Sequence, residues 1–395
     1  MNVRSPEHAG YAVAAPLVAA WFLVACSHTA PDRALREYCY VTNGRSDSVT
    51  VIDARPSSGF AQTATIAVGH NPTGIASSPV RSEIYVVNTE SDNVSFIDAK
   101  RNRVVATVGV HRAPYFISVS TDGRRGYVAN SGSANVSVLD LFQRRVIANI
   151  PVGGKPGVAR VAPDGKSVVV SNFVDNTVSV IDAEGLRVRT TIPVCEQPGD
   201  IAILPDSTRA FVTCSGSSQV AAIGLQSALR PESRARDVLL AKLDVGNTPV
   251  ALALKPDGGE LFVMNYGAGT ISVVETTSND VAGSYLIGNN PVRGVVSSDN
   301  AMLYVSNFRS STVAAYSITD GTLAGNVQVG SGPDALALTR DGNFLFVADS
   351  RSGDIAVVRT APLPSSSKRS AERALLTTVP AGAQPNQAVM VEVPD

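Results

Sequence analysis

Several polar residues suited to binding or transforming a ligand stand in the short segments between strand-like runs: His70, His111, Arg112, Tyr115, Lys155, Asp200, Arg293 and Asp334. A guanidinium grips carboxylate or phosphate through a fork of N–H donors, and an imidazole titrates near neutral pH. Phenol, ammonium and carboxylate groups complete a set fit to orient a polar ligand. The set does not make a catalytic motif. There is no Gly-rich phosphate loop, no nucleophile elbow and no Ser paired by spacing with a base, so no catalytic residue is nominated. Metal or tetrapyrrole ligation needs His or thiolate at fixed spacing. Beyond residue 25 the histidines are His28, His70 and His111. The last two could share an ion with a carboxylate, but no tight motif surrounds them, and neither metal nor cofactor is expected.

The composition limits the partners. Thirty-three Lys and Arg against 34 Asp and Glu leave a net charge of −1, which argues against a nucleic-acid binder. Hydrophobic residues make up 44% and charged ones 17% of the 395 residues, which argues against disorder.

What positions the polar residues is a repeat. Four-residue segments of one kind recur: Tyr40–Asn43, Tyr85–Asn88, Tyr127–Asn130, Val169–Asn172, Phe211–Cys214, Phe262–Asn265, Tyr304–Asn307 and Phe346–Asp349. Most copies are 42 residues apart; the first interval is 45 and the fifth is 51. Each copy holds four β-branched, turn-bounded runs, labelled A to D, with the segment above in B. An Asp-Gly turn suited to positive φ joins A to B at Asp122-Gly123, Asp164-Gly165, Asp257-Gly258 and Asp341-Gly342. In every copy ten residues separate the end of B from the end of C, at Asp53, Asp98, Asp140, Asp182, Gly224, Glu275, Ser317 and Arg359. Four strands at a period of 40–45 are the signature of a β-propeller.

The phase predicts how the ring closes. A Pro opens strand A eight residues before the A–B turn, as in Pro114 to Asp122, and Pro385 is the last such Pro. The chain therefore starts with B–C–D and ends with a lone A near Gln387–Val393. Eight blades in one domain over residues 37–395 follow; seven blades with one unit outside the ring is the alternative, and it would leave an exposed sheet edge. The repeats resemble those of the YVTN-type β-propellers of bacterial and archaeal cell-surface proteins, over about residues 37–393. That family usually has seven blades, and the resemblance implies an envelope role without assigned chemistry.

Residues 1–25 read as a secretory signal: Arg4 precedes an apolar stretch, Tyr11 to Ala25, too short to span a bilayer. It ends in Leu23-Val24-Ala25-Cys26, which resembles the lipobox of bacterial lipoproteins. The resemblance implies cleavage before Cys26, lipidation of its thiol and, with Ser27 following, an outer-membrane address; the alternative is a plain secretory signal or an uncleaved anchor. Residues 26–36 then form the lipidated Cys and a tether.

In a propeller the D–A and B–C loops share one face. His70, His111, Arg112, Tyr115, Lys155, Asp200, Arg293 and Asp334 should ring the channel mouth there. Cys195, in a D–A loop, and Cys214, which replaces the Asn ending a B strand, fall close together and predict a disulfide; two buried thiols is the alternative. Cys39 reads as a free core thiol. The repeated Asn reads as structural, satisfying backbone groups of the B–C loop. The two long C–D insertions carry Arg230, Arg234, Arg236, Lys368, Arg369 and Arg373, a basic rim or simply solvated loops.

The expectation is an envelope-anchored binding or scaffold module for an unidentified protein or small-molecule ligand, held to the membrane by its lipid. The alternative is a propeller enzyme or cofactor carrier of the lactonase, quinoprotein or haem d1 type, which fold analogy alone does not decide. A surface-layer component is a third reading.

Overall fold

The computed structural model describes residues 35–226, 237–361 and 374–394. The leader, Cys26, His28 and the tether lie outside the described residues, as do Arg230, Arg234, Arg236, Lys368, Arg369 and Arg373. Eight four-stranded antiparallel sheets radiate from a central channel as the blades of a β-propeller. Each inner strand packs against the inner strands of both neighbouring blades, the full way round, so the eighth unit is in the ring.

Closure is as the phase predicts. Leu35–Asn43 pairs antiparallel with the last strand, Pro385–Pro394, from Leu35 opposite Pro394 to Asn43 opposite Pro385. Ser48–Asp53 and Gln62–Ala67 complete this composite sheet, numbered blade 1. Blade 4 shows the regular order from channel to rim: Pro156–Val161, Ser167–Asn172, Thr177–Asp182 and Arg187–Pro193. Strand B lies between A and C and between two neighbouring blades, so every residue of Glu83–Asn88 and of Ser167–Asn172 is buried. Continuous β-branched and aromatic runs are what such a doubly covered strand requires.

The Asn that ends strand B is structural, but by another route than expected. In five blades its Nδ2 donates to side-chain oxygens on strand C, five and seven residues on, rather than to loop backbone; in blade 7 Asn307 donates to Thr312 Oγ1 and to the Ile287 carbonyl. Asn130 reaches Asn135 Oδ1 at 2.7 Å and Ser137 Oγ at 2.8 Å. Asn172 reaches Thr177 Oγ1 at 3.0 Å and Ser179 Oγ at 2.9 Å. A second constraint comes from the D–A loop leading into the blade, which presses on this Asn. Gly69, Gly153 and Gly246, each 19 residues upstream, and Gly382, across the closure, leave no room there: a Cβ would lie 2.6–2.8 Å from the side chain of Asn88, Asn172, Asn265 or Asn43.

Two blades lack this glycine. In blade 5 the paired positions are Cys195 and Cys214, which form the expected disulfide with Cα atoms 5.6 Å apart. In blade 3 the upstream position is His111. Cys39 is buried and free, as expected, and burial pushes its thiol pKa up.

Candidate functional site

Three local features build the loop-bearing face. The residue before each of seven inner-strand prolines takes a positive φ: Asn71, Ala113, Lys155, Gln197, Thr248, Asn290 and Gln384 lie between 48° and 58°. The D–A loop is then tied to the B–C loop of the same blade by backbone hydrogen bonds, such as Thr89 N–H to Asn71 O at 3.0 Å and Phe173 N–H to Lys155 O at 3.2 Å. Immediately after the Pro, the A–B register shifts, between Pro156 and Ala159 in blade 4 and between Pro198 and Ile201 in blade 5. Such bulges re-aim side chains, and here they fall at the start of strand A, beside the channel mouth.

The result is a chamber of about 590 Å³ at this mouth, within the range of small-molecule sites. Tyr115, Lys155, Asp200 and Arg293, four of the sequence-nominated residues, line it. Asp334 is not in the lining but sits where the Arg293 charge acts on it. Burial pushes its carboxyl pKa up and Arg293 opposes the rise.

His70, His111 and Arg112 are not brought into the chamber; all three are exposed on the rim. His70 Nδ1 lies 2.7 Å from Asp47 Oδ2, and this hydrogen bond raises the imidazole pKa. Asp47 is lowered, first by the Asn71 N–H it accepts and then by His70. His111 fills the place of the packing glycine and its Nδ1 lies 2.6 Å from Asn135 Nδ2. The two histidines are thus engaged separately, and the described residues hold no group of three His, Cys, Asp or Glu placed for a metal.

The chamber's central cation is absent from the sequence-nominated set. Arg160 stands on the inner strand of blade 4, where the equivalent residues are Ala76, Ser118, Ala202, Ala253, Val295, Ala337 and Val389. A lone arginine among small or aliphatic residues is the signal that could have found it. Its guanidinium carbon lies 5.3 Å from the Phe116 ring centroid. Its Nη2 reaches Asp200 Oδ1 at only 3.4 Å, and its Nε is buried without a partner. Asp200 is better served by backbone, accepting Ile201 N–H at 2.9 Å and Leu252 N–H at 3.1 Å. Lys155 Nζ sits 5.0 Å over the ring of Phe173, a second residue missed in the sequence.

Toward the opposite mouth the channel turns apolar. A space of about 650 Å³ there is walled by aliphatic residues such as Ile201, Ile203 and Leu254, and shares Phe116, Arg160 and Leu252 with the chamber. Another cleft, of about 660 Å³, opens on the loop-bearing face beside Arg351. No inner-strand residue lines it, and Arg351 is already stacked 4.5 Å over Phe308. The chamber is therefore the candidate site: concave, aromatic on one wall and rich in cations.

Two family profiles match parts of the chain. The cytochrome d1 haem domain matches residues 80–224, and the seven-bladed β-propeller lactonase matches residues 293–373. No curated protein matches the sequence. Among solved structures, the dihydro-haem d1 dehydrogenase NirN in complex with DHE superposes with a TM-score of 0.72 at 17% identity, covering 89% of this chain and 74% of NirN. Apo AztD from Citrobacter koseri gives 0.66 at 16% identity, covering 91% of this chain and 98% of that one. A putative 6-phosphogluconolactonase from Bacteroides fragilis gives 0.61 at 17% identity, covering 92% and 99%. At these identities the likeness is one of fold.

Proposed function

We propose that the protein is a ligand-binding β-propeller of the bacterial cell envelope, with YVTN-type repeats, anchored through lipid on Cys26 and taking a small anionic ligand into the channel chamber. The observation that carries this reading is the state of the chamber's cations. Arg160, Arg293 and Lys155 line one concave site, and among the described residues their side chains make a single hydrogen bond, of 3.4 Å. Lys155 is exposed and the two arginines are only partly buried, so their donors are open toward the chamber, and an anion there supplies the acceptors that the chain does not. The Cys195–Cys214 disulfide supports an oxidising compartment, in keeping with export. Binding is favoured over turnover because Asp200 is committed to backbone N–H groups and no nucleophile–base pair lines the chamber among the described residues.

A second reading, a haem-type carrier or lactonase-like enzyme, is favoured by the two partial family matches. The chamber fits the rim of a carboxylated tetrapyrrole through its arginines. Its described lining has no His, Cys or Met for an iron, and Tyr115 is the one phenol. For hydrolysis, Asp334, whose carboxyl pKa burial raises, lies outside the chamber lining and supplies no acid there.

The test is native mass spectrometry, with an absorption spectrum, of the protein purified from its own envelope. A small-molecule adduct lost in an Arg160→Ala/Arg293→Ala variant supports the chamber. An adduct that persists in the variant, or none in the unaltered protein, overturns it. Visible absorption travelling with the adduct would move the haem-type reading ahead.

A further inference from the structure

We infer that the chamber's ligand carries two separated oxyanion groups on a flat apolar body, one group held by Arg160 and the other by Arg293. The inference rests on the chamber reading above and deepens it.

Elsewhere in this protein a half-buried guanidinium is answered by oxygens of the chain itself. Arg189 binds Asp237 through Nε at 2.6 Å and Nη2 at 2.8 Å, and Ser167 Oγ at 3.0 Å. Arg81 and Arg144 converge on buried Glu83 at 2.5 and 2.8 Å. Arg209 donates to the carbonyls of Thr276 and Thr277. The two channel arginines break this pattern. Arg160 has one long contact, of 3.4 Å; its buried Nε lacks a partner, as do those of Arg81 and Arg144, but unlike theirs its terminal nitrogens find no close acceptor. Arg293 makes no side-chain hydrogen bond or ion pair among the described residues; its neighbour Asp334 interacts with it only through charge. A guanidinium offers five donors in a fixed fork, which a carboxylate or phosphate fills in pairs.

The two arginines reach the one chamber from different walls. Arg160 belongs to blade 4 and Arg293 to blade 7, three blades apart in a ring of eight. A single oxyanion on one of them leaves the other unanswered. Blade 5 places Asp200 between them, its oxygens accepting the Ile201 and Leu252 N–H groups, and blade 6 adds the apolar Val250 and Leu252; Phe116, on the blade 3 strand, carries its ring against Arg160 from the other side. A flat body spanning this surface, with an acidic group at each end, satisfies both forks while burying its faces on hydrocarbon. Inorganic anions and neutral aromatics each meet only part of the site.

The test uses terephthalate, naphthalene dicarboxylate and biphenyl dicarboxylate, a series of increasing span, each beside its monocarboxylate, titrated calorimetrically into residues 27–395. The best dicarboxylate should bind at least about tenfold more tightly than its monocarboxylate, since a hydrogen bond to a charged group is worth that much or more. Arg160→Ala and Arg293→Ala should each bring its affinity down to the monocarboxylate's, and Arg160→Gln and Arg293→Gln, which keep much of the side-chain volume, should do the same. Arg112→Ala, altered on the rim, should leave it unchanged. If mono- and dicarboxylates bind alike, or only one arginine matters, the two-anion inference fails while the chamber reading stands. If no carboxylate in the series binds, both fail.

Discussion

Replacing Asp349 by Asn should stabilise the protein, and increasingly so as pH rises. Asp349 ends strand B of blade 8, where six other blades have Asn. It is fully buried; Oδ2 accepts Gly330 N–H at 3.0 Å, and Oδ1 has no partner. Five residues on, where other blades offer a neutral acceptor, stands Asp354. Burial first, and the Asp354 charge second, push the Asp349 carboxyl from 3.8 up to about 8. A carboxyl raised in the folded state contributes stability that is fully present below pH 3.8 and is lost as pH climbs to about 8. At ~1.4 kcal/mol per unit, and discounting for relaxation around the pair, the loss amounts to about 3–5 kcal/mol. Near pH 4 the folded wild-type carboxyl is already neutral, so the Asp349→Asn variant and the wild type should melt alike there. With ~2.1 cal/mol/K of unfolding entropy per residue, the gap should widen to roughly 4–7 °C by pH 9. Thermal melts of both proteins at pH 4 to 9, followed by circular dichroism, measure this difference directly. A gap that does not change with pH, or that is largest in acid, would refute the reasoning.

Two further perturbations probe the packing between the D–A loop and strand B. Cys214→Asn alone should destabilise blade 5, because the side chain at Cys195 occupies the space other blades keep for glycine, whereas Cys195→Gly/Cys214→Asn should recover much of the loss without a disulfide. Denaturant unfolding of the two variants ranks them, and equal stabilities would contradict the shared packing. Gly246→Ala places a Cβ 2.6 Å from Asn265. It should cost about 1–3 kcal/mol, read as a lower midpoint in the same assay.

Blade number, ring closure and the disulfide are legible because each depends on spacing, and spacing survives changes of side chain. The ten-residue step from the end of B to the end of C and the eight-residue step from Pro to turn set the phase, and the phase places Gln387–Val393 beside Leu35–Asn43. The channel wall is harder. Strand alternation decides which side chains face inward, but the register shift after Pro156 and Pro198 breaks that alternation where the site begins. In sequence, Arg160 therefore looks like one more strand residue. His70 and His111 stand out for their chemistry, yet His111 occupies the position of the packing glycine and His70 is held on the rim by Asp47. The 19-residue step from Gly to Asn that explains His111 and Cys195 together lies in the sequence; its meaning needs the contact between the two residues.

The most direct measurement is a crystal structure of the protein grown with the tightest dicarboxylate of the series. Density should cross the chamber, with one carboxylate on Arg160, the other on Arg293 and the ring system against its apolar lining. A ligand bound at the rim cleft beside Arg351, or held by one arginine with its far end in solvent, would contradict the two-anion inference.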